Sequence, residues 1–176
     1  MENGVPKSSW KNAKVVELGA GIGFSGLVSH QLGATDVTIT DGNIDVLKLA
    51  DENIIQNIDS NRIKQVRTAQ LRWGTDDEKN FINQESSPKS PDFILVSDCT
   101  YKKAAWPDLI GTIAHLSGTN TKTILSMEPR NVGEVEGVIN EAKKQGLVVV
   151  EKRLPVDPVK TQCSLLCARL FELTKA

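Results

Sequence analysis

Histidine is nearly absent. His30 and His115 are the whole complement in 176 residues, too few for a histidine-based metal site or catalytic triad. Cysteine is scarce as well: Cys99, Cys163 and Cys167 form an odd set without dense spacing, which argues against a disulfide framework and fits reduced thiols inside a cell. Neither charge is in excess. The 21 Lys and Arg against 22 Asp and Glu leave a formal net charge of −1, so the basic surplus of nucleic-acid binders is missing. No apolar run approaches the roughly 20 residues that span a bilayer, and the polar stretch Met1–Asn12 does not read as a secretory signal. Repeats, low-complexity tracts and linker-like composition shifts are lacking too. These absences predict one domain over 1–176, acting as a monomer in the cytoplasm, with the nucleus as a further compartment, and without metal, membrane or nucleic acid.

What is present is an ordinary globular balance, 39% hydrophobic and 24% charged, enough for a proper core at this length. Strand-like and helix-like runs alternate. Lys14–Leu18 reads as a strand, Phe24–Leu32 as a helix closed by Gly33, and Asp36–Thr40 as a second strand. Asn43 suits the N-cap of a helix over Ile44–Ile58, where Leu47, Ala50, Ile54 and Ile58 make one apolar face. Gln65–Leu71 is a third strand. The polar stretch Thr75–Pro91, with Ser86, Ser87 and Pro88, reads as a long surface loop holding a turn of helix around Phe81.

Asp92–Ser97 is a continuous apolar run, the mark of a strand buried on both faces. Pro107 opens a helix reaching Leu116. Thr121–Met127 is a fifth strand, and Gly133–Gln145 a helix stopped by Gly146. Two strand-like runs finish the chain, Leu147–Leu154 and Ser164–Leu173, joined by Pro155–Gln162 without a helix. A parallel pair needs a crossover, so this last pair is expected to be an antiparallel hairpin.

The first strand runs into Gly19-Ala20-Gly21-Ile22-Gly23-Phe24-Ser25-Gly26, a glycine-rich turn that brings a ligand close to backbone. Gly21, Gly23 and Gly26 match G-x-G-x-x-G, and Asp41 lies 20 residues past Gly21, where a carboxylate can hold ribose hydroxyls. That alone is a fair dinucleotide fingerprint. Read from the strand end, Gly19, Gly21 and Gly23 form G-x-G-x-G with Glu17 just before them. Set on the crevice, Glu17 would oppose a pyrophosphate by about a few kcal/mol. The same carboxylate suits S-adenosylmethionine, which lacks phosphate and carries an ammonium and a sulfonium.

Four blocks then resemble the seven-stranded class I protein-lysine methyltransferases, the family of the calmodulin-lysine and valosin-containing-protein-lysine enzymes. They are Val16-Glu17-Leu18-Gly19-Ala20-Gly21, Thr40-Asp41-Gly42-Asn43, Leu71-Arg72-Trp73-Gly74 and Val96-Ser97-Asp98-Cys99-Thr100-Tyr101. The second and fourth most resemble the calmodulin-lysine branch. The resemblance covers Val15 to Gly146 and implies a Rossmann-like α/β sheet, mostly parallel with a C-terminal antiparallel hairpin and helices on both faces. It implies S-adenosylmethionine as cofactor and a lysine-bearing protein as substrate. It places Glu17, Gly19 and Gly21 on the methionine half of the cofactor, Asp41, with Gly42 and Asn43, at the ribose, and Trp73, with Arg72, at the adenine. By the same resemblance Ser97 is a further cofactor-binding residue, and Asp98 to Tyr101 form the floor of the lysine channel, with Asp98 and Tyr101 as the catalytic pair.

The residues themselves leave other roles open. Trp73 suits a purine face and equally the core, Asp98 could cap the next helix, and Tyr101 could be core. Cys99 has no evident basic neighbour to lower its pKa and reads as a packing residue. Family members usually carry a substantial cofactor cover before strand one, whereas 13 residues precede it here. The expectation is therefore a short or truncated cover, with Trp10 as its remnant or as an edge residue. Two other function classes follow: a methyltransferase-like binding module without activity, and an NAD(P)-dependent oxidoreductase.

Overall fold

The computed structural model describes residues 5–83, 90–152 and 168–176. Seven strands form one sheet: β1 (Lys14–Leu18), β2 (Asp36–Asp41), β3 (Val66–Gln70), β4 (Phe93–Ser97), β5 (Lys122–Met127), β6 (Leu147–Lys152) and β7 (Arg169–Lys175). Their order is β3-β2-β1-β4-β5-β7-β6. β1 to β5 pair parallel, and β7 runs antiparallel between β5 and β6. The expected antiparallel pair is thus present, with the last strand inserted inside the sheet. The linker Pro155–Gln162, Cys163 and Cys167 lie outside the described residues, as do Ser86, Ser87, Pro88, Leu154 and the start of the run expected from Ser164.

Strand alternation divides the core in two. Val15, Val37, Ile39, Phe93 and Leu95 pack with Ala50 and Ile54 of α2 (Ile44–Asn57); α1 (Phe24–Leu32) lies on this face through Leu27 and Leu32. Val16, Leu18, Ile94, Val96 and Leu125 pack on the other face with α4 (Trp106–Leu116) and α5 (Glu134–Lys144). A Cβ at Gly137 would run into the Trp106 ring, so glycine there lets α5 approach α4 closely. Trp10 is core: it is buried and stacks on Phe93 with centroids 4.5 Å apart.

The stretch after β3 differs from its expected loop. Asp76–Asn83 is a helix, α3, and Phe81 is buried in the core. Three acidic residues in its first turn suit the positive end of the helix dipole. The third, Glu78, is buried and accepts from Gly74 N at 2.6 Å, from the Thr112 hydroxyl and from His115 Nδ1 at 2.9 Å. Burial raises its pKa, yet the bonds from Thr112, His115 and Gly74 outweigh that, and the net shift is downward. Tertiary partners make a helix of a stretch whose composition reads as loop.

Candidate functional site

Parallel strands put the C-terminal ends of β3, β2, β1 and β4 side by side, with the order reversing between β1 and β4, the switch point where open α/β sheets bind ligands. Gly19, Asp41, Trp73, Asp98 and Tyr101 meet there around a cavity of about 360 Å³. Gly42, Leu71, Arg72 and Cys99 complete its strand-end walls, and Ala105 and Asp108 close it from the α4 side.

The glycine loop holds its shape by backbone. Gly19 and Gly21 have φ of +62° and +56°, a region open to glycine at little cost. A Cβ at Gly19 would come within 2.7 Å of Cys99 Sγ and 2.9 Å of the Trp73 ring, whereas one at Gly21 would meet nothing within 4 Å. Asp41 Oδ2 accepts from Gly21 N at 3.0 Å and Oδ1 from Asn43 N at 2.9 Å. Each oxygen keeps a further lone pair for a ligand hydroxyl. Asn43 itself caps α2, its side chain accepting from Asp45 N. The Trp73 ring is half-buried against Gly19, and its indole Nε1 is buried without a hydrogen-bond partner. Arg72 forms a bidentate pair with Asp77 at 2.7 and 3.2 Å.

Glu17 sits one layer behind the place its sequence position suggests. Alternation points it to the face of Val15, where α1 packs. It is 2% exposed, with Oε2 accepting from Gly26 N at 2.8 Å and Oε1 from Ser25 N at 3.2 Å. It therefore caps the first turn of α1 and is not a lining residue of the cavity. Gly21, Asn43 and Ser97 also lie outside the lining.

Burial pushes the Glu17 carboxyl up to about 7, against the bonds from Gly26 and Ser25, with Asp41 adding to the rise. The folded protein thus keeps a proton that the unfolded chain releases near the ordinary carboxylate value. This favours folding below that value and fades as pH rises through about 7. The change is on the order of 3 kcal/mol. Urea unfolding at pH 5 and pH 8 should show the decline in the parent and a much flatter profile in Glu17→Gln; an equal decline in both would remove Glu17 as its source.

The loop after β4 carries Asp98 at φ +54°, an uncommon backbone region that Asp and Asn adopt more readily than other side chains. Its N–H donates to Ser126 O at 2.9 Å, which ties the loop to β5. Cys99 is buried, its thiol facing the Leu18, Gly19 and Ser97 carbonyls. Burial, with Asp41 next, pushes that thiol up to about 12, so it packs rather than reacts. Tyr101 is 56% exposed.

Two residues that the sequence motifs did not single out organise this corner. Arg130 Nη2 lies 2.6 Å from Asp98 Oδ2. Buried Glu134, at the start of α5, accepts from the Thr100 hydroxyl at 3.4 Å and from Arg130 N and Asn131 N at 3.0 and 3.2 Å. It joins the β4–α4 and β5–α5 loops across more than 30 residues of sequence, a span no local pattern encodes.

Residues 1–144 match the sequence profile of the lysine methyltransferase family. The chain belongs to that family. Within it, protein N-lysine methyltransferase METTL21A of Danio rerio is 37% identical over 125 residues, covering 70% of this chain and 53% of that protein. Calmodulin-lysine N-methyltransferase of Arabidopsis thaliana is 30% identical over 140 residues, covering 78% and 44%. The chain therefore spans about half the length of the curated relatives it matches. Among solved structures, magnesium protoporphyrin IX methyltransferase of Synechocystis PCC 6803 with SAH bound superposes with a TM-score of 0.66 at 13% identity, over 96% of this chain and 77% of that one. That likeness establishes the class I methyltransferase fold for this lysine methyltransferase family member. Among its described residues no helix is long and apolar enough to cross a membrane.

Proposed function

We propose that this chain is an S-adenosylmethionine-dependent protein-lysine N-methyltransferase. The observation that carries the reading is the shared cavity: Gly19 and Asp41 on one side, Asp98 and Tyr101 on the other. The cavity suits the cofactor by shape and chemistry. Gly19 brings bare backbone to the cavity wall, Asp41 retains acceptor capacity for two hydroxyls, and Trp73 contributes to the wall beside them. Glu17 and Gly21 then act by holding the loop, Asn43 and Gly42 by shaping the turn after Asp41, Arg72 by anchoring the segment before Trp73, and Ser97 by ending β4 where the catalytic loop begins.

The bound cofactor supplies an electrophilic methyl group. The residues of the chain align the acceptor. Asp98 accepts a hydrogen bond from the amine and orients its lone pair, while the Tyr101 ring narrows the approach and attracts the cation. Water exclusion at the cavity wall lowers the pKa of the lysine amine. The family's named substrates support a protein acceptor, met by a monomer in the cytoplasm or nucleus; the free thiol of Cys99 agrees with such a reducing compartment.

Incubating the chain with radiolabelled cofactor and a cell lysate, then mapping the label, tests the reading. Label on lysine side chains is the expected result; no protein labelling, or label confined to other residue types, would overturn it. Asp41→Ala is expected to weaken S-adenosylhomocysteine binding about 30-fold or more in calorimetry, the worth of charge-assisted hydrogen bonds. Unchanged affinity would remove Asp41 from the cofactor site.

A further inference from the structure

The guanidinium of Arg130 stands where the proposed reaction needs its acceptor amine. Nη2 lies 2.6 Å from Asp98 Oδ2, and Cζ lies 5.9 Å from the Tyr101 ring centroid. One cation therefore engages both members of the Asp98–Tyr101 pair. Lys102 Nζ stands 5.7 Å from the same ring. A carboxylate beside an aromatic face is chemically a seat for a cation, and the chain fills it with its own side chain.

This contact is not what fixes the loop. The two side chains are 45% and 51% exposed, and the Arg130 backbone is held separately, its N–H donating to Glu134 at 3.0 Å. The side chain can leave while the backbone stays. Glu128 and Glu134 also act electrostatically on the guanidinium where it stands, more weakly than Asp98.

Resting on the lysine-methyltransferase reading, we infer that Arg130 is an intramolecular stand-in for the acceptor lysine. A primary ammonium on a flexible alkyl chain displaces it from Asp98, and this exchange sets acceptor affinity and selectivity. Arginine remains charged at any working pH, and the Asp98 carboxylate it leaves behind favours a cation over neutral or anionic groups. Only molecules with Arg130 swung out accept the amine, and apparent affinity is reduced by that fraction.

The test is titration of n-butylammonium chloride into the isotope-labelled chain, following the Asp98 and Tyr101 amides by NMR, with n-butanol as the neutral control. Arg130→Ala is expected to bind the ammonium about two- to sixfold more tightly than the parent, with Arg130→Lys in between and no gain for n-butanol. Adding Asp98→Asn to Arg130→Ala should abolish the gain. Equal affinity in parent and Arg130→Ala, or a gain that survives Asp98→Asn, overturns the inference. Arg130→Gln, which keeps most of the side-chain bulk, gives the same readout should the alanine variant fold poorly. Calorimetry with S-adenosylhomocysteine on the same proteins separates the two readings. A chain that seats n-butylammonium as expected yet ignores S-adenosylhomocysteine overturns methyl transfer. One that binds S-adenosylhomocysteine without Arg130 dependence of ammonium binding overturns the stand-in alone.

Discussion

Asp98→Ala is expected to lower methyl incorporation into lysate protein at least a hundredfold while leaving S-adenosylhomocysteine affinity within about threefold. In-line transfer depends on alignment, and misplacing the acceptor by about 1 Å can cost a hundredfold. Asp98 is the carboxylate on the β4 side of the cavity, and it already holds a cation, Arg130, at 2.6 Å. Its φ of +54° complicates the alanine variant, because alanine resists that region by about 1–2 kcal/mol. Asp98→Asn answers this, since asparagine tolerates the same backbone and removes only the charge. Both variants should lose transfer. Full activity in Asp98→Asn would show that the carboxylate is not used.

Gly19→Ala is expected to destabilise the fold by about 2–4 kcal/mol, from backbone strain plus overpacking. The new Cβ would press on Cys99 Sγ at 2.7 Å and on the Trp73 ring at 2.9 Å. Cys99 is buried and cannot yield cheaply, so Trp73 moves and the cavity wall deforms with it. Cofactor affinity should fall more than tenfold, read by calorimetry on the folded fraction. Gly21→Ala is the control: its φ is +56°, but its Cβ would meet nothing within 4 Å. It should cost about 1 kcal/mol, strain alone. Equal losses in urea unfolding for the two variants would show that the contact with Trp73 and Cys99 carries no weight.

Much of the architecture was legible because its signals are local. Val15 and Val16 alternate between two faces, Asn43 caps α2 as its side chain allows, and Gly33 ends α1 with φ +121°. The strand and helix boundaries expected for β1, α1 and α4 fall within a residue of those observed. The turn of helix expected around Phe81 is present, but the local sequence did not give the extent of α3, Asp76–Asn83. Glu78 counts as a surface residue by composition, yet Gly74, Thr112 and His115 converge on it and make its burial tolerable. Glu17 shows the reverse error. An acid before a glycine loop reads as facing the crevice, but strand alternation turns it to α1, where two backbone N–H groups meet it.

The sequence by itself determined the alternating α/β order, the antiparallel close of the sheet, the glycine loop and the four blocks that resemble the lysine methyltransferase family. All of these rest on residue types at short, fixed spacings. Only the tertiary structure decided where those blocks meet. It set Asp41 and Asp98 on one cavity, placed Glu17 behind the loop, and brought Arg130 onto Asp98 from 32 residues away. Such contacts depend on which strand ends lie side by side, and strand order is a property of the folded sheet.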